Sequence, residues 1–167
     1  AALAASLSEI VCRHQALRST FAMPATGAAG DGVHPVSFVV PPSPVPLPAV
    51  DLGALPETVR AGEERRLARE DAGRSFDLGR GPLLRTVLLR LAGEEHTVLV
   101  NLHHIVADGW SMGVLVRELG VLYAAHVSDI AGLAGRPSPL PELPVQYADF
   151  AAWQRRASGP VFPHLRK

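Results

Sequence analysis

The sequence predicts an α/β fold, and three observations carry that prediction. Leu3, Leu7, Ile10, Val11 and Leu17 recur at helical spacing over residues 2–17. Residues 83–92 and 96–102 are β-rich runs on either side of Gly93-Glu94-Glu95, the pattern of a hairpin. Residues 111–126 then return to the helical period, with Val114, Leu115, Leu119, Leu122 and Tyr123 on one side. At 167 residues the chain has the size of one domain able to bury a real core.

The remaining elements follow in order. Cys12 lies on the first helix and reads as a small core hydrophobe. Val33, Val36, Phe38, Val39 and Val40 make a strand over residues 33–40 that Pro41 ends. Pro41, Pro42, Pro44, Pro46 and Pro48 impose an extended, polyproline-like path. It is read as a connection within the domain, in preference to a linker or a ligand for an aromatic groove. Leu55-Pro56-Glu57 opens a second helix, with proline near its first turn and acids after it. Its mixed charges, from Glu63 to Asp71, read as a solvated face, not a docking face. Residues 129–145, rich in Gly and Pro, read as a loop. A final short helix carries Tyr147, Phe150 and Trp153 on one face, read as packing residues and not as a cofactor box.

The chemistry concentrates in Asn101-Leu102-His103-His104-Ile105-Val106-Ala107-Asp108-Gly109-Trp110-Ser111. A buried strand, residues 97–102, delivers adjacent imidazoles onto a turn that Gly109 lets close tightly. Imidazole titrates nearest neutrality, so it suits proton transfer. An aspartate a few residues on can fix the local geometry by pairing with a cation.

This segment resembles the HHxxxDG signature of condensation domains of nonribosomal peptide synthetases, within the chloramphenicol acetyltransferase-like superfamily. Three further segments are similar to that family's motifs, in family order over roughly residues 2–156. They are Arg13-His14-Gln15-Ala16-Leu17-Arg18-Ser19-Thr20-Phe21 (RHxxLRTxF), Phe76-Asp77-Leu78 with Gly81-Pro82-Leu83-Leu84-Arg85 (FDL and GPLLR), and Tyr147 to Arg155 (YxDYAxWQ). The resemblance implies a chloramphenicol acetyltransferase-like sandwich, whose N-terminal subdomain has a mixed β-sheet with helices packed on it. It assigns residues 1–156 to that subdomain, incomplete at its start, and leaves 157–167 as a tail of unknown structure. An earlier SxAQxRLW-like strand and the C-terminal condensation subdomain are expected to be missing, which makes the chain read as a fragment.

The resemblance also implies a reaction and its residues. A donor acyl thioester and an acceptor amine, each tethered by the phosphopantetheine arm of a carrier domain, are joined into an amide. His104 is the catalytic candidate, either accepting the amine's proton or positioning the amine. His103 points into the core and holds the strand end. Asp108 pairs with an arginine and shapes the site from behind, with Arg13 the first choice and Arg18 the second. Gly109 leaves room for the pantetheine arm or the nascent amide, and Trp110 and Ser111 line the channel. No cofactor binds directly, and an adenylation domain is expected alongside. The continuation Asp108-Gly109-Trp110-Ser111 looks most like peptide-bond-forming members, in contrast to epimerisation, heterocyclisation and coenzyme A-dependent relatives. A non-catalytic remnant or interaction fragment is the alternative from another class.

Two rivals use the same residues. Gly109-Trp110-Ser111-Met112-Gly113 matches the G-x-S-x-G nucleophile elbow, but His103 to Ala107 separate it from the strand end. A hydrolase would also need Asp129 or Asp149 and then His164. A metal site from His103, His104 and Asp108, with His96 or His126, suffers because adjacent strand residues point to opposite faces. His14, His34, His96 and His126 otherwise read as ordinary structural or surface histidines.

Composition bounds the partners. Sixteen basic residues balance 16 acidic ones, with no basic block, which argues against nucleic acid or an anionic membrane as partner. The single cysteine rules out an internal disulfide and fits a reducing, cytoplasmic setting.

Overall fold

The computed structural model describes residues 1–23, 35–130 and 137–157. Val33 and His34, the middle of the Gly/Pro-rich loop, and the tail from Ser158 with His164 lie outside the described residues.

Helix α1 spans Ala2–Arg13, followed by a 3₁₀ turn at Gln15–Arg18. The expected helix over 2–17 thus ends four residues early. His14 turns extended (φ −99°, ψ 102°) while its N–H still bonds Ile10 O, and its imidazole swings towards the third helix. Strands β1 (Ser19–Ala22) and β2 (Val36–Val39) form a small antiparallel sheet. The proline stretch then crosses the domain in extended form. Val45 N donates to Ser8 Oγ at 2.9 Å, and Pro46 O and Pro48 O accept from Thr86 Oγ1 and Leu88 N. That path leads into β3 (Ala49–Asp51), as a connection within the domain would.

A second sheet runs in the order β3-β4-β5, with β4 at Leu84–Ala92 and β5 at Glu95–Leu102. β3 pairs parallel to β4 and β4 antiparallel to β5, so the sheet is mixed. The hairpin turn is Gly93-Glu94, where Gly93 takes the φ of +45° that a tight turn of this hand needs. Helix α2 spans Glu57–Gly73, α3 Gly109–Ile130 and α4 Tyr147–Ala157. No described helix is long and apolar enough to cross a membrane.

Strand alternation divides the core in two. Leu84, Val100 and Leu102 join Ile10, Val11, Leu17, Leu115 and Leu122 beneath α1 and α3. Val87, Leu89, Leu91 and Leu99 face the other way, with Leu52 and with Leu67 of α2. The sheet is therefore sandwiched, α2 on one face and the α1–α3 pair on the other.

Two packing expectations are corrected. Cys12 is exposed, because α1 buries the stripe of Ala2, Ser6, Leu7, Ile10 and Val11 and position 12 falls outside it. Tyr147, Phe150 and Trp153 are also exposed, at 65, 45 and 62%. They stack on one another (centroids 6.2 and 5.8 Å) on a helix that buries none of its residues. The charged face of α2 is solvated only in part: Arg66 bridges Glu63 and Glu70 at 2.7 Å each, but Asp71 is buried and Glu64 accepts a bond from Thr97 of β5.

Candidate functional site

The site begins where β5 runs out. Odd-numbered residues of β5 face α2: Thr97 bonds Glu64 at 2.7 Å, and Asn101 Nδ2 donates to the Asp71 carboxylate. The same parity carries His103 to the α2 side. Its ring meets Phe76 nearly perpendicularly, with centroids 5.9 Å apart and planes at 86°. Its backbone N–H donates to Leu83 O at 3.0 Å. Nδ1 accepts the Ile105 N–H, and the carbonyl accepts the Val106 N–H, both at 3.0 Å. Donation by a backbone N–H leaves Nδ1 unprotonated in neutral imidazole, so the proton sits on Nε2. His104, next in the turn, is exposed.

Asp108 caps α3. Its Oδ1 accepts Ser111 N at 2.8 Å and Ser111 Oγ at 2.7 Å, the N-cap geometry of an aspartate before a helix's first turn. These bonds, the hydroxyl's first and the backbone's second, hold its carboxyl below the usual aspartate range. The expected pairing of Asp108 with Arg13 is overturned, and Arg18 does not take its place. Arg13 Nε lies 3.3 Å from Glu118 Oε2, and Arg18 Nη1 donates to Val40 O at 2.6 Å. A cap three residues away is reached at little entropic cost, whereas the buried Glu118 needs a cation more.

Gly109 is corrected as well. Its φ is not positive, so glycine's freedom is not what closes this turn, and a Cβ there would meet no atom within 4 Å. What it contributes is open space at the start of α3. Trp110 stands 85% exposed beside it. A largely apolar cavity of about 270 Å³ lies between α1, the turn and α3; His14, Leu17, Leu102, Trp110, Ser111 and Tyr147 are among the residues lining it.

Glu118 escaped the sequence reading. It is 6% exposed, and its Oε2 is 2.7 Å from His14 Nε2 and 3.3 Å from Arg13 Nε. Its partners lie over a hundred positions away, so no local pattern signals it. The rivals fare poorly on geometry. Ser111 sits within the first turn of α3 with its hydroxyl donating to Asp108, well past the strand end. Among the described residues no three His, Cys, Asp or Glu side chains gather as a metal would need.

The arrangement offers an exposed imidazole, His104, on a pinned turn, and an apolar cavity that Val106 and Ala107 of the same turn help to line. Such a site can position a nucleophile and take its proton. The condensation-domain family profile matches residues 1–160. The chain is 46% identical to chondramide synthase cmdD of Chondromyces crocatus over 159 residues, 95% of this chain but 4% of that synthase. It superposes on the first condensation domain of the calcium-dependent antibiotic synthetase, solved with a substrate analogue, at a TM-score of 0.74 and 26% identity. That match covers 95% of this chain and 35% of the other. The X-domain from teicoplanin biosynthesis gives 0.73 and 32%, covering 98% and 32%. The chain thus spans a small part of the synthases and about a third of the solved chains that it matches.

Proposed function

The chain belongs to the condensation-domain family, a chloramphenicol acetyltransferase-like fold, and on that premise we propose the reaction its site serves. The amine nitrogen of a carrier-tethered aminoacyl acceptor attacks the carbonyl carbon of a carrier-tethered acyl or peptidyl thioester. The tetrahedral adduct expels the donor's pantetheine sulfur as the C–S bond breaks, and the amine's proton leaves through His104. An amide forms on the acceptor arm, and the donor arm is left as a thiol. An α-amine with a pKa near 8 is neutral often enough for this at little cost. Holding both arms in line removes several kcal/mol of barrier.

The observation that carries the reading is His104, exposed just past the end of β5 on a turn that His103 pins and whose later residues, Val106 and Ala107, line an apolar cavity. The partners in this reading are donor and acceptor carrier domains, the C-terminal condensation subdomain and a neighbouring adenylation domain, all in the cytoplasm. Phosphopantetheine reaches the site on the carriers. Residues 1–167 alone are expected not to turn over, because in this reading the C-terminal condensation subdomain supplies the other wall of the site.

The test is a condensation assay with donor- and acceptor-loaded carriers, run on this chain and on the full-length product of its gene. Amide formation by the full-length protein, lost in His104→Ala, supports the reading. An equally active His104→Ala would sink it. Protonation of the amine lowers the rate at acid pH in either case, so the base reading is distinguished by a further limb of the pH–rate profile that His104→Ala removes.

A further inference from the structure

Arg85, Phe76 and His103 form a continuous stack that ties the end of α2 to the turn bearing His104. Arg85 leaves β4 on the α2 side, where its neighbours Val87, Leu89 and Leu91 are apolar. Its Nη2 donates to Asp71 O at 2.8 Å and Arg74 O at 2.7 Å, and its Nη1 to Ser75 O at 3.2 Å. These are carbonyls at the C-terminal end of α2, where a cation also complements the helix dipole. The Asp71 carboxylate, itself bonded by Asn101, lies 3.5 Å from Arg85 Nε. So anchored, the guanidinium sits 3.9 Å above the Phe76 ring, within cation–π range. Phe76 in turn abuts His103.

We infer that Phe76 and Arg85 are positioning residues for His104. They hold the His103 ring so that its Nδ1 accepts the Ile105 N–H, and that bond sets the turn from which His104 projects. Neither residue touches the reacting atoms. An arginine amid an apolar strand face and a phenylalanine in the loop after α2 gain, on this account, a single shared purpose. The inference rests on the reading of His104 given above only for its catalytic consequence; the geometry of the turn is independent of it.

The experiment is amide hydrogen exchange by NMR on the full 167-residue chain, with long-range proton–nitrogen spectra of the imidazoles. In the wild type, His103 shows a protonated Nε2 and Ile105 is protected. In Phe76→Leu and Arg85→Lys, exchange at Ile105 accelerates on the order of tenfold or more while the amides of β4 and β5 keep their protection. Phe76→Tyr, which retains the ring, restores it. Unchanged Ile105 protection in a folded Phe76→Leu overturns the inference, and that variant suffices if Arg85→Lys does not fold. In the full-length product, Phe76→Leu lowers kcat by roughly ten- to a hundredfold with KM unchanged, the mark of misplaced groups. A fully active His104→Ala beside an altered Ile105 exchange would remove the catalytic reading and leave the positioning of the turn standing.

Discussion

Glu118 of α3 meets His14, at the end of α1, with its Oε2 2.7 Å from the imidazole Nε2. The same oxygen lies 3.3 Å from Arg13 Nε, and the Glu118 side chain is only 7% exposed. Two consecutive residues at the end of α1 therefore converge on one carboxylate of α3, and they tie α1 to the helix that Asp108 caps.

Removing that carboxylate strands a buried guanidinium. Glu118→Ala is expected to lower unfolding stability by about 3–5 kcal/mol, the usual cost of breaking a buried pair from one side. Glu118→Gln, which keeps a hydrogen-bond acceptor, loses less. A second imidazole–carboxylate pair on the same helices, Glu9 with His126 at 3.1 Å, is about a quarter exposed on both sides. Glu9→Ala is expected to cost no more than about 1 kcal/mol, as partly solvated pairs do. Urea denaturation of the three variants checks the order. Equal losses for Glu9→Ala and Glu118→Ala would show that burial does not govern the pair.

Asp108 predicts an acid dependence of known sign. Its folded pKa is held below the ordinary value by the Ser111 hydroxyl and N–H. A depressed carboxylate stabilises fully above its unfolded pKa, and the contribution is lost as pH falls through the folded value. Asn is an equally good cap that does not titrate in this range. Thermal unfolding of wild type and Asp108→Asn should thus run in parallel near neutrality. Between roughly pH 5 and pH 2 the wild type should lose stability relative to Asp108→Asn. Asp108→Ala should be weaker than both at neutral pH. Curves for wild type and Asp108→Asn that stay parallel down to pH 2 would remove the cap's charge from the account.

Much of the fold was legible because it is local. The hairpin showed in its β-rich runs and its Gly-Glu turn, and α3 in apolar residues three and four apart, though it extends two residues earlier and four later than expected. What could not be read depends on distant partners. His14, where α1 ends, meets Glu118 from 104 residues away. The aromatic stripe of α4 has the spacing of a packing face, yet spacing alone says nothing about whether a face is covered. At the site the His-His turn was located correctly, while the partner of Asp108 was not. Asp108 and Ser111 stand in the register of a helix cap, and that local signal competed with a family pattern that points to an arginine. In this structure the local bond wins and Arg13 is engaged elsewhere.

Gly109 separates space that serves the fold from space that serves a ligand. It begins α3 without a left-handed φ, and a methyl group there would meet no protein atom within 4 Å. Nothing in the folded chain needs the missing Cβ, so Gly109→Ala should fold normally. It should be more stable by about 0.4–1 kcal/mol, since alanine loses less backbone freedom on folding. If the open volume is where a pantetheine arm or the new amide passes, the cost falls on the substrate. The full-length product carrying Gly109→Ala would then show a raised KM for loaded carriers, with a Tm at or above the wild type's. Paired measurements of Tm and condensation kinetics decide the matter. A variant as active as wild type would mean that the substrate path does not cross Gly109, and a destabilised one would mean that the glycine serves the fold after all.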